Sequence, residues 1–220
     1  MARPKAASFD AQRGAIRDAA ARLFADKGYA SASIADIAAA CGVSKGLLYH
    51  YYRDKEDLLF DIAASYVERL KTIVGEVQAE RLPAAAQLRR LIARFMAEYG
   101  HSTARHRVLV QDVKYLSRAH RARVVADQRD VVAGFADAIA RLAPMAGEDW
   151  HRPLAMVLFG MMNWTFTWLR AGGALSHDDL APVITDLFIG GVGRVRPPSR
   201  LVQPARRPRP RTASNLKASA

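Results

Sequence analysis

The sequence predicts an all-α fold: a three-helix N-terminal unit joined to a larger helical bundle. Three observations carry this. Apolar residues recur at helical spacing along almost the whole chain, with no convincing strand alternation. Capping residues and helix-stop residues punctuate the chain at helix-length intervals. With 220 residues, half of them hydrophobic and a quarter charged, the chain has the size and composition to bury a substantial core.

A first helix is expected from near Asp10, with Ile16, Ala20, Leu23 and Phe24 on one face and Gly28 closing it. Ser33 and Asp36 have capping-box spacing before Ile34, Ile37 and Ala38, and Gly42 stops this second helix. Ser44 caps a short third helix through Tyr52, and Asp54 with Asp57 opens a long one to about Gln78. Five more helices are read near 83–100, 103–113, 117–142, 148–170 and 177–192, separated by Pro83, Pro144 and Gly172-Gly173. Ser176 caps the last, with Asp179 in its first turn. The expected units are 10–54, 55–193 and a disordered tail, 194–220, rich in Pro, Arg, Ser and Ala.

The net charge of +12 sits largely in that tail, whose seven arginines and one lysine leave only +4 on the body. A basic tail attracts polyanions by counterion release but identifies no sequence. The single cysteine, Cys41, excludes an intramolecular disulfide and a cysteine-built metal site. The start, MARPKAASFD, has no secretory apolar stretch, and Leu154–Leu169 falls short of the ~20 residues that cross a bilayer. A cytoplasmic protein without membrane association is expected.

Two short amphipathic helices joined by Ala40-Cys41-Gly42-Val43-Ser44 form the arrangement that lays a second helix in the DNA major groove. Gly42 tolerates a left-handed backbone, and Val43 is an apolar plug between the helices. Leu48 and Tyr52 share a buried face, leaving Lys45, Gly46, Leu47, Tyr49, His50 and Tyr51 toward the other side. Lys45 suits a base edge or phosphate, Gly46 permits close backbone approach, and the polar aromatics suit phosphates. Lys55 adds a cation just past the turn. The competing reading is a helical hairpin whose aromatic face has no function.

The stretch GYASASIADIAAACGVSKGLLYHYYRDKEDLL resembles the DNA-binding domain of the TetR/AcrR regulator family, closely over residues 13–60. The resemblance implies that Ser33 touches phosphate, that Lys45 and Gly46 take base-facing positions, and that Tyr49, His50 and Tyr51 contact phosphates; Ser44, which caps the reading helix, is a further DNA-binding candidate. It gives Lys55 the place of a lysine that holds the backbone from the next helix. Leu47 stands where many members have threonine, offering an apolar contact to a thymine methyl. Tyr51 and Tyr52 replace a frequent histidine and phenylalanine.

The resemblance also implies a bundle with a ligand pocket, whose last two helices pair with their copies in a homodimer. Leu154, Val157, Leu158, Met161 and Met162 with Leu180, Ile184, Leu187 and Phe188 would supply that interface, intrachain core being the alternative. Two half-sites about 34 Å apart give a dimer a gain in affinity of its own. The segment FGMMNWTFTWLRAGGALS resembles the corresponding helix of TetR-type regulators of fatty-acid, phenylacetate and sterol catabolism, whose effectors are acyl-CoA thioesters. On that resemblance Phe159, Asn163, Trp164 and Trp168 line an acyl tunnel, with Arg170 nearby. Arg107, Lys114 and Arg118, in a cluster with Arg105, Arg121 and Arg123, would hold the nucleotide head. Tryptophans at i, i+4 are more often plain core than a cofactor wall, and the arginine run reads equally as a solvated face. The histidines at 101, 106, 120, 151 and 177 read as solvated.

Residues 60–193 show no metal-ligand spacing, phosphate loop or nucleophile–base arrangement, so an enzyme is not expected. The expected protein is a regulator, a repressor released from a palindromic operator by a hydrophobic effector, an acyl-CoA thioester or another. It needs no cofactor beyond that ligand. The alternative is an effector-free DNA-organising or division-linked protein on the same scaffold, which the basic tail would suit.

Overall fold

The computed structural model describes residues 3–170 and 172–195. Among them the chain forms nine α-helices and no strand: α1 (Arg3–Lys27), α2 (Ile34–Cys41), α3 (Lys45–Tyr51), α4 (Lys55–Ala79), α5 (Ala84–His101), α6 (Thr103–Gln111), α7 (Arg118–Leu142), α8 (Glu148–Asn163) and α9 (His177–Val192). The expected tail lies outside the described residues beyond Val195.

The first three helices close on a small core in which Ile16, Phe24, Ile37, Leu48 and Tyr52 are buried. Helix α4 leaves this unit and runs 25 residues, roughly 37 Å at 1.5 Å per residue, into the bundle. There α4 packs on α5, α6 and α7; α5 packs on α9, α7 on α8, and α6 turns back onto α1. Gly134 makes the α4–α7 seam possible, since a Cβ there would lie 2.3 Å from Val74 Cγ1.

Local chemistry accounts for the boundaries. Ser33 and Asp36 form a complete capping box, as do Ser176 and Asp179. At α4 the Asp54 side chain accepts from the Asp57 N–H at 2.8 Å, while Asp57 reaches back to the Arg53 N–H at 3.2 Å rather than to Asp54.

Three expectations need correction. Helix α1 starts at Arg3, not near Asp10, because the preceding Lys-Ala-Ala run continues the helix instead of breaking it. Helix 103–113 ends at Gln111 and tightens into a 3₁₀ turn over Val113–Tyr115. The expected helix 148–170 stops at Asn163 and continues as a 3₁₀ turn, Trp164–Thr167. There the Thr165 hydroxyl donates to the Met162 carbonyl and the Thr167 hydroxyl to the Trp164 carbonyl, both at 2.7 Å, competing with the main-chain donors that a further α-turn would use.

Candidate nucleic-acid interface and ligand cavity

The turn between α2 and α3 is built on one left-handed residue. Gly42 has φ 66°, and the Val43 N–H returns to the Ala38 carbonyl at 3.0 Å, closing α2 before Ser44 opens α3. The Ser44 hydroxyl accepts from the Leu47 N–H at 3.1 Å. Helix α3 turns Leu48 inward, and Tyr52 behind it donates to Asp61 of α4 at 2.7 Å. Arg13 of α1 also reaches Asp61, at 3.0 Å. Burial and the Asp61 hydrogen bond both push the Tyr52 phenol well above its ordinary value, so it stays a donor. The short helix is thereby fixed to α1 and α4 by one carboxylate.

On the opposite side Ser44, Lys45, Gly46, Leu47, Tyr49 and His50 are all exposed, Tyr49 by 53% and Leu47 by 40%. Lys45 has no ion-pair partner among the described residues. Three other sequence candidates are differently placed. Tyr51 is half-buried and stacks on Phe9 of α1 at 4.6 Å. Ser33 is exposed, but its hydroxyl is engaged with Asp36 at 2.7 Å. Lys55 is not a free cation: its ammonium donates to the carbonyls of Tyr29 at 2.9 Å, Ala32 at 3.0 Å and Ala30 at 3.5 Å, and lies over the Tyr29 ring. It clasps the α1–α2 loop, which spends all three of its N–H donors.

A cavity of about 280 Å³, half-open to solvent, lies between α4, α5, α6, α7 and α8. Its walls are mostly apolar, from Val67 and Leu70 of α4, Leu109 of α6, Val131 and Val132 of α7, and Phe159 of α8. One side is polar. His106 stacks on Tyr99 with ring centres 3.8 Å apart, and Tyr99 donates to the Asn163 side-chain oxygen at 2.8 Å. His106 is 2% exposed, so the expectation of a solvated histidine is wrong here. Burial pushes its imidazole down to about 4, only partly offset by the Asn163 main chain, so it is neutral at physiological pH. Exposed Arg129 and Arg152 border the cavity.

Of the sequence candidates for a ligand site, Phe159 and Asn163 line this cavity. Trp164 and Trp168 do not; they are 66% and 50% exposed, Trp164 standing two turns beyond exposed Val157 on the outward side of α8. Arg170 borders a separate surface cleft with His101 and His177. Arg118 lies with Arg121 in a shallow groove that meets the cavity at Val125. Arg107 is turned to Gln111, and Lys114 covers the Tyr115 ring. The supposed arginine cluster is thus dispersed, with Arg105 paired to Asp18 and Arg123 to Asp127.

The family model for bacterial regulatory proteins of the tetR family matches residues 16–62, and that for the tetracyclin repressor-like C-terminal domain matches residues 81–192. The chain belongs to the TetR family. A TetR-family regulator from Bordetella parapertussis 12822 is 34% identical, with a TM-score of 0.77 over 84% of this chain and 98% of that one. The HTH-type transcriptional repressor KstR2 of Rhodococcus jostii (strain RHA1) is 25% identical over 82% of this chain and 91% of its own. The structure of AibR in complex with isovaleryl coenzyme A and operator DNA shares the fold, with a TM-score of 0.72 over 80% of this chain and 97% of that one at 24% identity. This TetR protein is accordingly a DNA-binding transcriptional regulator, and no helix among its described residues is long and apolar enough to cross a membrane.

Sequence reasoning missed Tyr99, His106, Arg129 and Arg152. The signal was present for one of them. Arg152, Met156, Phe159 and Asn163 stand at i, i+4, i+7 and i+11 and form one stripe along α8.

Proposed function

We propose that this regulator is a repressor that binds a palindromic operator as a homodimer and is released by an acyl-CoA thioester. Residues 10–54 form the reading head and residues 55–193 the effector and dimer unit. The observation that carries the reading is that α4 belongs to both. Its Asp61 holds Tyr52 and Arg13 of the head, and its Val67 and Leu70 line the cavity. A ligand with different affinity for two positions of α4 shifts the head between them. Lys45, Gly46, Leu47, Tyr49 and His50 would meet bases and phosphates, with Ser33, Ser44 and Tyr51 at the edge of the contact; Lys55 would act through the loop it clasps.

The dimer is supported by apolar surface that stays largely uncovered among the described residues. Val157 and Trp164 on the α8 side and Val183 and Leu187 on α9 are each more than half exposed. Leu154, Leu158, Met162, Ile184 and Phe188, also candidates for that interface, are buried inside the protomer instead. The acyl-CoA reading is supported by the apolar cavity, by the arginines at its border, and by the fold shared with AibR, a protein seen with isovaleryl coenzyme A. Phosphates of the nucleotide would meet Arg129, Arg152 and the Arg118–Arg121 groove. A regulator of this kind is not an enzyme.

Operator selection from random DNA, followed by binding titrations, tests the proposal. The selected site should be palindromic, and a Lys45→Ala, Tyr49→Ala double variant should lose roughly 30- to 20,000-fold in affinity, at ~1–3 kcal/mol for each of the two contacts. Thioesters of different chain length should release the bound protein. A folded double variant that binds as tightly as the parent refutes the head, and no release by any thioester refutes the effector.

A further inference from the structure

The last turn of the reading helix is braced by a residue from the start of α1. That helix begins at Arg3, ahead of the expected start near Asp10, and Phe9 belongs to this leading stretch. Phe9, Arg13, Ile16 and Ala20 stand at i, i+4, i+7 and i+11 and form one stripe, of which Ile16 and Ala20 are buried in the core of the head. Arg13 is bound to Asp61 of α4. The stripe is thus fixed along its length, and Phe9 stands at its end with 40% of its surface exposed. An isolated exposed phenylalanine needs no explanation, but this ring is not isolated. It stacks on Tyr51 with ring centres 4.6 Å apart and meets His50 edge-on at 6.0 Å, while His50 and Tyr51 meet edge-on at 5.5 Å. These are the separations and orientations at which aromatic rings attract.

Helix α3 needs such support. Its seven residues fall short of the ~12–15 at which a helix is even marginal alone. Ser44 holds its start, Leu48 its inner side, and Tyr52 on Asp61 its end. No polar contact orients the rings of its last turn. Among the described residues, neither the His50 ring nor the Tyr51 hydroxyl has a hydrogen-bond partner. Their polar atoms are left for another molecule, and their ring planes are set by Phe9 and by each other.

We infer that Phe9 is a positioning residue for DNA recognition, holding the His50 and Tyr51 rings in the orientation that presents their polar atoms to phosphate. The inference rests on the reading head proposed above and adds to it a residue from outside 10–54. A side chain that samples several rotamers loses that freedom on binding, at a cost in affinity that a ring already held does not incur. Phe9 makes this ordering part of folding.

The test is a double-mutant cycle on the full chain, read by titration with operator DNA selected for the parent. Phe9→Ala should weaken binding about tenfold, and Phe9→Tyr, which keeps the ring, should recover most of the loss. In a His50→Ala, Tyr51→Ala background the same Phe9→Ala change should cost less than about twofold, because no ring is left to position. The dependence of affinity on salt should keep its slope, since no cation is removed. A Phe9 that only stabilises α1 would cost the same in both backgrounds, and equal costs overturn the inference. So does parent-like affinity in Phe9→Ala or in the His50→Ala, Tyr51→Ala protein. A loss with a shallower salt slope overturns it as well, by placing the effect in Arg3 and Lys5 ahead of Phe9. If Phe9→Ala does not fold, Phe9→Leu carries the same cycle with apolar bulk kept and the ring removed. The Lys45→Ala, Tyr49→Ala protein separates the two failures. If it binds as tightly as the parent, the reading head itself has failed; if it is weakened while the cycle shows equal costs, only the role of Phe9 falls.

Discussion

Replacing Lys55 separates a structural clasp from a DNA contact. The sequence suggests a cation for the phosphate backbone, whereas the structure commits its ammonium to the carbonyls of Tyr29, Ala30 and Ala32. Lys55→Met keeps most of the alkyl stem and removes the donors. Hydrogen bonds to a charged group contribute about 1.5–3 kcal/mol each when buried. These are only partly buried, so water would replace much of what is lost. A total near 2–3 kcal/mol follows, including a small share from the ammonium over the Tyr29 ring. In a chain of this length each kcal/mol shifts Tm by roughly 2–4 °C. Thermal unfolding without DNA, at fixed protein concentration, should therefore show Tm lower by about 4–12 °C. Operator binding titrated against salt should keep its slope, because no phosphate contact is removed. A Tm unchanged within 1 °C, together with a slope reduced by about one, would mean that Lys55 faces the phosphates and that the clasp is incidental.

A Val157→Asp, Leu187→Asp pair should give monomers by light scattering and weaken operator binding by roughly 100-fold, since the second half-site is then no longer delivered by the first; a parent protein that is itself monomeric would refute the interface. Gly134→Ala should destabilise the protein by about 1–3 kcal/mol in denaturant titrations, because the clash with stiff, buried Val74 outweighs the ~1 kcal/mol gained in helix propensity. A more stable variant would refute that seam. Asp36 is held below the usual carboxylate range, first by the Lys27 ammonium and then by the Ser33 main chain and hydroxyl. Its contribution is present above the unfolded value, about pH 3.9, and is lost as pH falls through the lower folded value. Asp36→Asn should thus flatten the acid limb of the stability curve below about pH 4, and identical limbs in the two proteins would exclude this source.

The helices were legible where side chains act on their own backbone. The capping boxes at Ser33–Asp36 and Ser176–Asp179, and the left-handed Gly42, are local events that sequence spacing records. The exposed face of α3 was legible for the same reason, because Leu48 and Tyr52 fix which way a seven-residue helix turns. The cavity was not. Trp164 and Trp168 share a face only if the helix continues, and the threonine hydroxyls that tighten it are a contest of a few hydrogen bonds that apolar spacing does not register. His106 reads as solvated because the histidines are scattered with no ligand spacing; only the fold reveals that one turn of α6 points Arg105 to Asp18 and His106 inward. Lys55 shows the same limit from the other side. Its position was legible, but its partners come from a loop more than twenty residues earlier.

That single turn of α6 also bears on how a filled cavity would be felt at the DNA. Arg105 ties α6 to Asp18 of α1 at 3.5 Å, while the adjacent His106 borders the cavity. Beyond α6, Tyr115 stacks on Tyr29 of the α1–α2 loop, the same residue whose carbonyl Lys55 holds. Glu56, in the first turn of α4, accepts from the Ser117 N–H and contacts the His120 ring, both at 2.8 Å. The head is therefore attached to the bundle on two sides, through α6 to α1 and through the start of α7 to α4. From Asp61 to Leu70 along α4 is about 13 Å, so a 1 Å displacement at the cavity wall tilts this helix by roughly 4°. If only α4 were held, that tilt could be absorbed by a rotation of α1 against it. With α1 and α4 both anchored to elements that border the cavity, the three head helices must follow as one body, and the exposed face of α3 changes direction with them.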